Sequence, residues 1–235
     1  MPISTRMSTT GAMFNDLVPD EMYGLALVLS HQTLQLKRAF YTNNHLKHSM
    51  EAVVQLGYMS DTSYRLVLSL RSAKDKRIMA VNERFLVFID QKTRQKVSIP
   101  EQIKETYGHL AKGSKKKLPV PPPKPVHAFH TEAIVCHSDT DILYHTNHAS
   151  YLRFCIDCAT EATANNYFSS IPGDFMACEI SDVVIAYKAE SFPGDHLDIL
   201  TWEDDKQKNI LYFLIECDGT LICSCIFTIR VSSKL

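Results

Sequence analysis

Hydrophobic and polar positions divide this chain into stretches of two different periods. Over 64–71, 77–90, 210–217 and 220–231 apolar and polar residues alternate, with Gly, Asp and Asn turns between the runs, which predicts antiparallel strands. A further strand is predicted over about 126–136. From 147 to 165 the period changes: Ala149, Leu152, Phe154, Ile156, Ala159 and Ala162 follow helical spacing and are too apolar all round for a surface helix, so a buried helix is expected. The second half therefore reads strand, long helix, four strands.

Part of this pattern occurs twice. At an offset of 151 residues, Ser30-His-Gln-Thr-Leu-Gln-Leu-Lys-Arg-Ala-Phe-Tyr-Thr-Asn-Asn-His-Leu46 aligns without gaps on Ser181-Asp-Val-Val-Ile-Ala-Tyr-Lys-Ala-Glu-Ser-Phe-Pro-Gly-Asp-His-Leu197. Each copy reads strand, turn, strand, and each is followed by two of the β-rich runs. In the second copy Ala177 lies 47 positions after His130, but only 25 residues precede the matching Ala26, too few for both a strand and the long helix. The first copy is therefore expected to be incomplete. Between the copies lies Lys115-Lys-Lys-Leu-Pro-Val-Pro-Pro-Pro-Lys-Pro125, which cannot pack as helix or central strand and should run extended as a semi-rigid spacer. Its lysines read as a solvated linker and not as a nucleic-acid patch, because no aromatic residues interleave with them.

Composition narrows the classes. The 235 residues allow one large domain or two of roughly 100 to 120 residues, either able to bury a proper core. A hydrophobic fraction of 45%, a charged fraction of 22% and a formal net charge of −1 fit an ordinary globular protein with no global field for nucleic acid or anionic membrane. No apolar run approaches the roughly 18 residues of a membrane span. All seven cysteines fall in the second half with no secretory segment before them, so reduced thiols in the cytoplasm, or in a mitochondrial or other organelle matrix, are expected. A hydroxyl-rich start without acids until Asp16 faintly resembles a transit peptide, though with one Arg.

The stretch His137-Ser-Asp-Thr-Asp-Ile-Leu-Tyr-His-Thr-Asn-His-Ala-Ser-Tyr-Leu-Arg-Phe154 carries the chemistry. It places Asp141 four residues before His145 in a polar turn that runs into the predicted helix. A helix start offers unpaired N–H groups and a positive dipole end, which can polarise a carbonyl while a nearby carboxylate attacks it or activates water. The stretch resembles the catalytic turn of hotdog-fold thioesterases, S-D-x-D-x-x-x-H-x-N-N-x-x-Y. Ser138, Asp139, Asp141, His145, Asn147 and Tyr151 keep that pattern, while His148 replaces the second Asn.

Tyr187-Lys-Ala-Glu190, placed on the strand after the helix, resembles the Y-x-x-E element of plant-type acyl-carrier-protein thioesterases. In that family an acid, an Asn and a His in the turn act with this Glu. Carried over, the positions are Asp141, Leu143, His145 and Glu190. Leu143 stands where the family has Asn and can neither orient water nor hydrogen-bond the acid; Asn147 is the residue to compensate. Phe85-Leu-Val-Phe-Ile-Asp-Gln-Lys-Thr-Arg-Gln-Lys-Val-Ser-Ile-Pro-Glu-Gln-Ile-Lys104 is similar to the closing strand and tail of acyl thioesterases.

The resemblance implies an α+β fold, an antiparallel sheet wrapped around a central helix, in tandem: an N-terminal segment at 1–25, an incomplete hotdog at 26–110, the linker at 111–126 and a complete hotdog at 127–235. It implies hydrolysis of acyl-CoA or acyl-carrier-protein thioesters without metal or organic cofactor. Asp141 supplies the nucleophilic oxygen or the base, His145 orients it or meets the thioester oxygen, and backbone N–H groups near 146–149 stabilise the oxyanion. Ala39 stands opposite Glu190 in the repeat, so any active site is expected in the second half. Tyr144, Thr146, His148 and Tyr151 are substrate-binding candidates, although His148 and Tyr151 read first as satisfied structural residues. The plainer readings are a turn acid for Asp141, a solvent-facing strand acid for Glu190 and a capping group for His145. Cys155-Ile-Asp-Cys158 has metal-like spacing but on a buried helix reads as small apolar filler. The rivals are an enoyl-thioester hydratase and a catalytically idle acyl-binding or scaffold protein. An uncovered sheet face on the incomplete repeat would drive homo-oligomerisation.

Overall fold

A computed structural model describes residues 24–42, 49–141, 144–171 and 173–230. The chain divides into two compact units, Met1–Lys117 and Leu118–Leu235.

The first unit holds four antiparallel strands, β1 (Leu25–Leu36), β2 (Met50–Met59), β3 (Ser63–Ser72) and β4 (Ile78–Asp90), in the spatial order β2-β3-β4-β1. Two short helices accompany them, α1 (Arg38–Thr42) and α2 (Glu101–Tyr107). Tyr64, Phe88 and Ile99 form its core cluster, with Val97 and Ile103 bringing the segment after β4 back over it. That return is set by a turn in which Asp90 Oδ1 accepts from the backbone N–H of Lys92 and Thr93, at 2.9 and 2.7 Å. Further on, the Gly113 N–H donates to Gly57 O at 2.8 Å, and the half-buried strand bulge at Gly57 also receives Nη2 of buried Arg65 at 3.3 Å. Lys116 Nζ ends this strap on Glu83 at 2.5 Å.

Strand β2 departs from expectation. The gapless alignment places the second strand near His45, as β7 begins at His196, but the structure puts α1 into the connection and opens β2 at Met50. The run Met50-Glu-Ala-Val-Val-Gln-Leu-Gly-Tyr-Met59 lacks strict alternation, so periodicity alone does not mark it.

The second unit runs β5 (Phe129–Ile134), α3 (His148–Ala164), β6 (Glu179–Tyr187), β7 (His196–Glu203), β8 (Ile210–Cys217) and β9 (Thr220–Arg230). All its strand pairs are antiparallel, in the order β6-β9-β8-β7-β5. Inward-facing Leu197, Ile199, Leu211, Phe213, Ile215, Cys223, Cys225 and Phe227 are buried to 1% exposure or less, as the period of two requires of a half-buried sheet. Helix α3 packs on β5 and β7. Its buried residues, Tyr151, Phe154, Cys155, Cys158, Ala159, Ala162 and Thr163, form one stripe at 3–4 residue spacing. This corrects the all-round burial expected of it: Ala149 is exposed, and Arg153, Asp157 and Glu161 face solvent. The helix is amphipathic because one side alone meets the sheet. Asn147 caps its start, with Oδ1 accepting from Ala149 N at 2.9 Å, and Asn165 ends it.

In each unit the first strand of the meander carries an irregularity at a serine. β1 shifts register between Leu29 and His31, and β6 between Ile180 and Asp182. The serine in each gap hydrogen-bonds its partner strand: Ser30 Oγ donates to Phe85 O at 3.0 Å, and Ser181 Oγ to Thr228 O at 3.1 Å. Among the described residues the first unit has no counterpart of α3. Residues 1–23, which bear on the N-terminal expectations, lie outside the described residues.

Candidate active site

After β5 the chain makes a 3₁₀ turn at His137–Asp139, then a short hairpin-like loop closed by the Thr140–Thr146 bridge, and enters α3. Buried Asp139 organises this passage. Its Oδ2 accepts from Cys136 N at 2.9 Å, its Oδ1 receives Arg153, and its carbonyl accepts from Asn147 N at 2.7 Å and Ser150 Oγ at 2.9 Å. Of the two acids in the S-D-x-D pattern, Asp139 is thus the structural one. Asp141 lies inside the loop, half-buried, with its N–H donated to His145 O at 2.9 Å and its carbonyl taking Tyr144 N at 3.0 Å. The backbones of Asp141 and His145 are therefore held opposite each other. Tyr144 sits at the loop tip with φ +61°, 68% exposed. Leu143 lies outside the described residues.

Glu190 is not on a strand, as its motif had suggested, but in the loop after β6, which ends at Tyr187. The N–H groups of Lys188 and Ala189 bond to Ile222 O, and Gly194, at φ +94°, donates to Val135 O at 2.9 Å. This docking brings Glu190 Oε1 to 3.6 Å from His145 Nδ1, both side chains about one-third exposed. Phe192 meets the His145 ring edge-on at a centroid distance of 5.3 Å. The second unit thus brings the His145 and Glu190 side chains together, partly open to solvent, with Asp141 bonded to His145 through the backbone.

The other candidates separate. Asn147 Oδ1 is committed to the helix cap, which leaves only Nδ2 for substrate. Thr146 is buried and bonded to Ser191: its N–H and its Oγ1 each donate to Ser191 O at 2.9 Å, and its Oγ1 lies 2.7 Å from Ser191 Oγ. Tyr151 is 3% exposed with its hydroxyl on Ser191 Oγ at 2.9 Å, and burial raises its pKa, so it is a protonated structural donor and not a substrate contact. His148 is exposed on the first helical turn and stacks edge-on against Tyr187 at 4.6 Å. The oxyanion expectation also narrows: the N–H groups of Thr146, Asn147 and Ala149 are engaged by Ser191 O, Asp139 O and Asn147 Oδ1. Sequence reasoning missed Ser191, which is wholly buried; a hydroxyl beside Glu190 was its only signal.

Cys155, Cys158, Cys223 and Cys225 are buried, and desolvation pushes their thiols up, Cys158 to about 12. They are neutral core groups. Away from this loop, His130, Glu132 and Asp198 bring possible ligand atoms within 4.8 Å of one another on the exposed face of β5 and β7, where His130 Nε2 and Asp198 Oδ1 already pair at 2.9 Å.

No protein-family model matches the chain, and no curated protein matches it in sequence. Solved structures do match. A 12:0-ACP thioesterase from Umbellularia californica superposes with a TM-score of 0.71 at 17% identity, covering 90% of this chain and 78% of that one. An acyl-ACP thioesterase from Bacteroides thetaiotaomicron gives 0.64 at 16% identity, covering 89% and 79%. A MaoC-like dehydratase from Phytophthora capsici gives 0.51 at 12%, covering 88% and 72%. The fold is the α+β hotdog fold of acyl-ACP thioesterases.

Proposed function

We propose that this protein hydrolyses fatty-acyl thioesters of CoA or acyl-carrier protein to the free acid and the thiol. The observation that carries the reading is the approach of Glu190 Oε1 to His145 Nδ1, at 3.6 Å, beside the loop that holds Asp141. The likeness to acyl-ACP thioesterases supports it at the level of fold. Asp141 attacks the carbonyl carbon, expelling the thiolate and forming an acyl–aspartyl anhydride that water then hydrolyses, or as general base takes the proton of a water that attacks the same carbon; in either case a proton of that water ends on the thiolate. Glu190 accepts from Nδ1–H and orients the ring, which donates from Nε2–H to the thioester oxygen when both ring nitrogens carry protons. The thiolate leaves and is protonated. The reaction as written uses side chains and water.

Two hotdog repeats, at 26–110 and 127–235 around the 111–126 linker, fit this reading. In support, the strand order β2-β3-β4-β1 repeats as β7-β8-β9-β6, and the offset of 151 carries the irregularity at Ser30 onto that at Ser181. The first repeat, lacking a long helix among its described residues, is expected to favour self-association. The seven free cysteines support a cytoplasmic or organelle-matrix location for this reading.

Thiol release from acyl-CoAs of several lengths and from acyl-carrier-protein thioesters tests the function. Release supports hydrolysis. Hydration of an enoyl thioester without thiol release supports the hydratase reading, for which the fold likeness is weaker. Binding without turnover supports the idle protein, the reading that Leu143 favours.

A further inference from the structure

Three hydrogen-bond contacts tie the residue after His145 to the residue after Glu190, and a fourth ties Tyr151 to the latter. The Thr146 N–H donates to Ser191 O at 2.9 Å, Thr146 Oγ1 donates to the same carbonyl at 2.9 Å, Thr146 Oγ1 and Ser191 Oγ lie 2.7 Å apart, and Tyr151 OH lies 2.9 Å from Ser191 Oγ. With the one hydroxyl proton of Thr146 on Ser191 O, Ser191 can donate to Thr146 Oγ1 and Tyr151 to Ser191 Oγ, an arrangement that uses every hydroxyl proton of the cluster. The whole cluster is dry: Ser191 is 0% exposed, Thr146 5% and Tyr151 3%. In a low-dielectric setting a closed network of this kind is rigid, because breaking any link leaves a buried polar group unsatisfied.

The clamp sits one residue from both members of a partly exposed pair. His145 and Glu190 come from separate loops, one before α3 and one after β6, and their 3.6 Å contact is loose and half-solvated. Such a pair in water contributes little to its own geometry. The buried clamp does what the pair cannot.

We propose that Ser191 is a positioning residue whose buried hydroxyl, with Thr146 and Tyr151, holds Glu190 against His145 in the arrangement that hydrolysis needs. The proposal rests on the thioesterase reading for its kinetic consequence, but not for its geometric one. Ser191 touches no substrate; it acts through the backbone of its neighbour.

The test uses the full chain with Ser191→Ala and Thr146→Val, each removing one hydroxyl of the network, in wild-type and Glu190→Gln backgrounds. Small misplacements of reacting groups cost up to about 100-fold, so the single variants should lose about tenfold to 100-fold in kcat with KM within about twofold. In the Glu190→Gln background the same changes should cost nothing further in kcat, because the residue they position no longer works. A merely structural role would lower thermal stability but leave kcat per folded molecule unchanged, or add its loss independently of Glu190; either result overturns the proposal. If Ser191→Ala does not fold, Thr146→Val decides by the same criteria. If wild type releases no thiol from any thioester, the functional reading fails and the clamp is judged by crystal structure. A His145–Glu190 separation widened by an ångström or more in the variant sustains it, and one that stays at wild-type distance refutes it.

Discussion

Replacing Asp139 by Ala should unfold the second unit more easily and do so by an amount the structure fixes. The carboxylate is 7% exposed and accepts two bonds, one from Cys136 N at 2.9 Å and one from Arg153. Loss of a hydrogen bond to a charged group costs about 1.5–3 kcal/mol, and here it strands the Cys136 N–H beside the loop. The Arg153 guanidinium is half exposed, at 52%, so its share is screened to less than about 1 kcal/mol. Together the loss is about 2–4 kcal/mol. Asp139→Asn keeps an acceptor for Cys136 N and gives up the charge, so about half of that is expected. The chain's one tryptophan, Trp202, lies in the second unit at 5% exposure, so its fluorescence during urea unfolding reports this unit by itself. That separation matters because a chain of two units need not unfold in one step. Stability of Asp139→Ala within about 0.5 kcal/mol of wild type would refute the assignment of Asp139 as the anchor of the loop before α3.

Three further outcomes are expected. A Cβ on Gly113 would lie 2.3 Å from Gly57 O, a backbone atom that cannot step aside, whereas one on Gly108 meets nothing within 4 Å; Gly113→Ala should release the strap to trypsin at 115–117 while Gly108→Ala leaves it resistant, and equal cleavage would dismiss the strap. In native protein a disulfide reagent should modify exposed Cys136 first and leave Cys155, Cys158, Cys223 and Cys225 untouched until denaturant is added, so rapid reaction of more than three thiols would contradict the packing. Burial, then the bond to Asp204 Oδ2 at 2.6 Å, raises the Tyr212 pKa from 10 to about 12. An acid favoured neutral in the fold contributes stability that is fully present below pH 10 and is lost as pH climbs from 10 towards 12; Tyr212→Phe should flatten that loss, and an unchanged alkaline limb would count against it.

Much of this structure was legible in the chain because the signals were local. The helix predicted over 147–165 runs His148–Ala164 with Asn147 and Asn165 as its caps, since a side chain that accepts from the helix's own first N–H groups is written next to it. β8 was predicted at 210–217 and occupies Ile210–Cys217, where Gly and Asp turns bound the run. What escaped was decided by tertiary partners. The first unit's second strand was displaced by α1, a five-residue helix that no capping signal announces. The division of labour between Asp139 and Asp141 depends on which one finds Cys136 N and Arg153. The burial of Ser191 depends on two loops folding onto each other, and an alternating pattern carries no information about loops. The motif pairs Glu190 with His145, which the fold brings to 3.6 Å, yet the position of Glu190 off the strand follows from Lys188 and Ala189 turning towards Ile222.

Asp141 is proposed to work together with a His145–Glu190 pair on an acyl thioester. The most direct test measures thiol release by wild type, Asp141→Asn and Glu190→Gln side by side, each shown to be folded by Trp202 fluorescence. Asp141→Asn keeps size and hydrogen bonding but loses the charge that either a nucleophile or a base needs, so kcat should fall about 100-fold to 10,000-fold. Glu190→Gln, at 3.6 Å from His145 in the wild-type site, should fall by a comparable factor. Folded Asp141→Asn that hydrolyses acyl thioesters at the wild-type rate would contradict the claim.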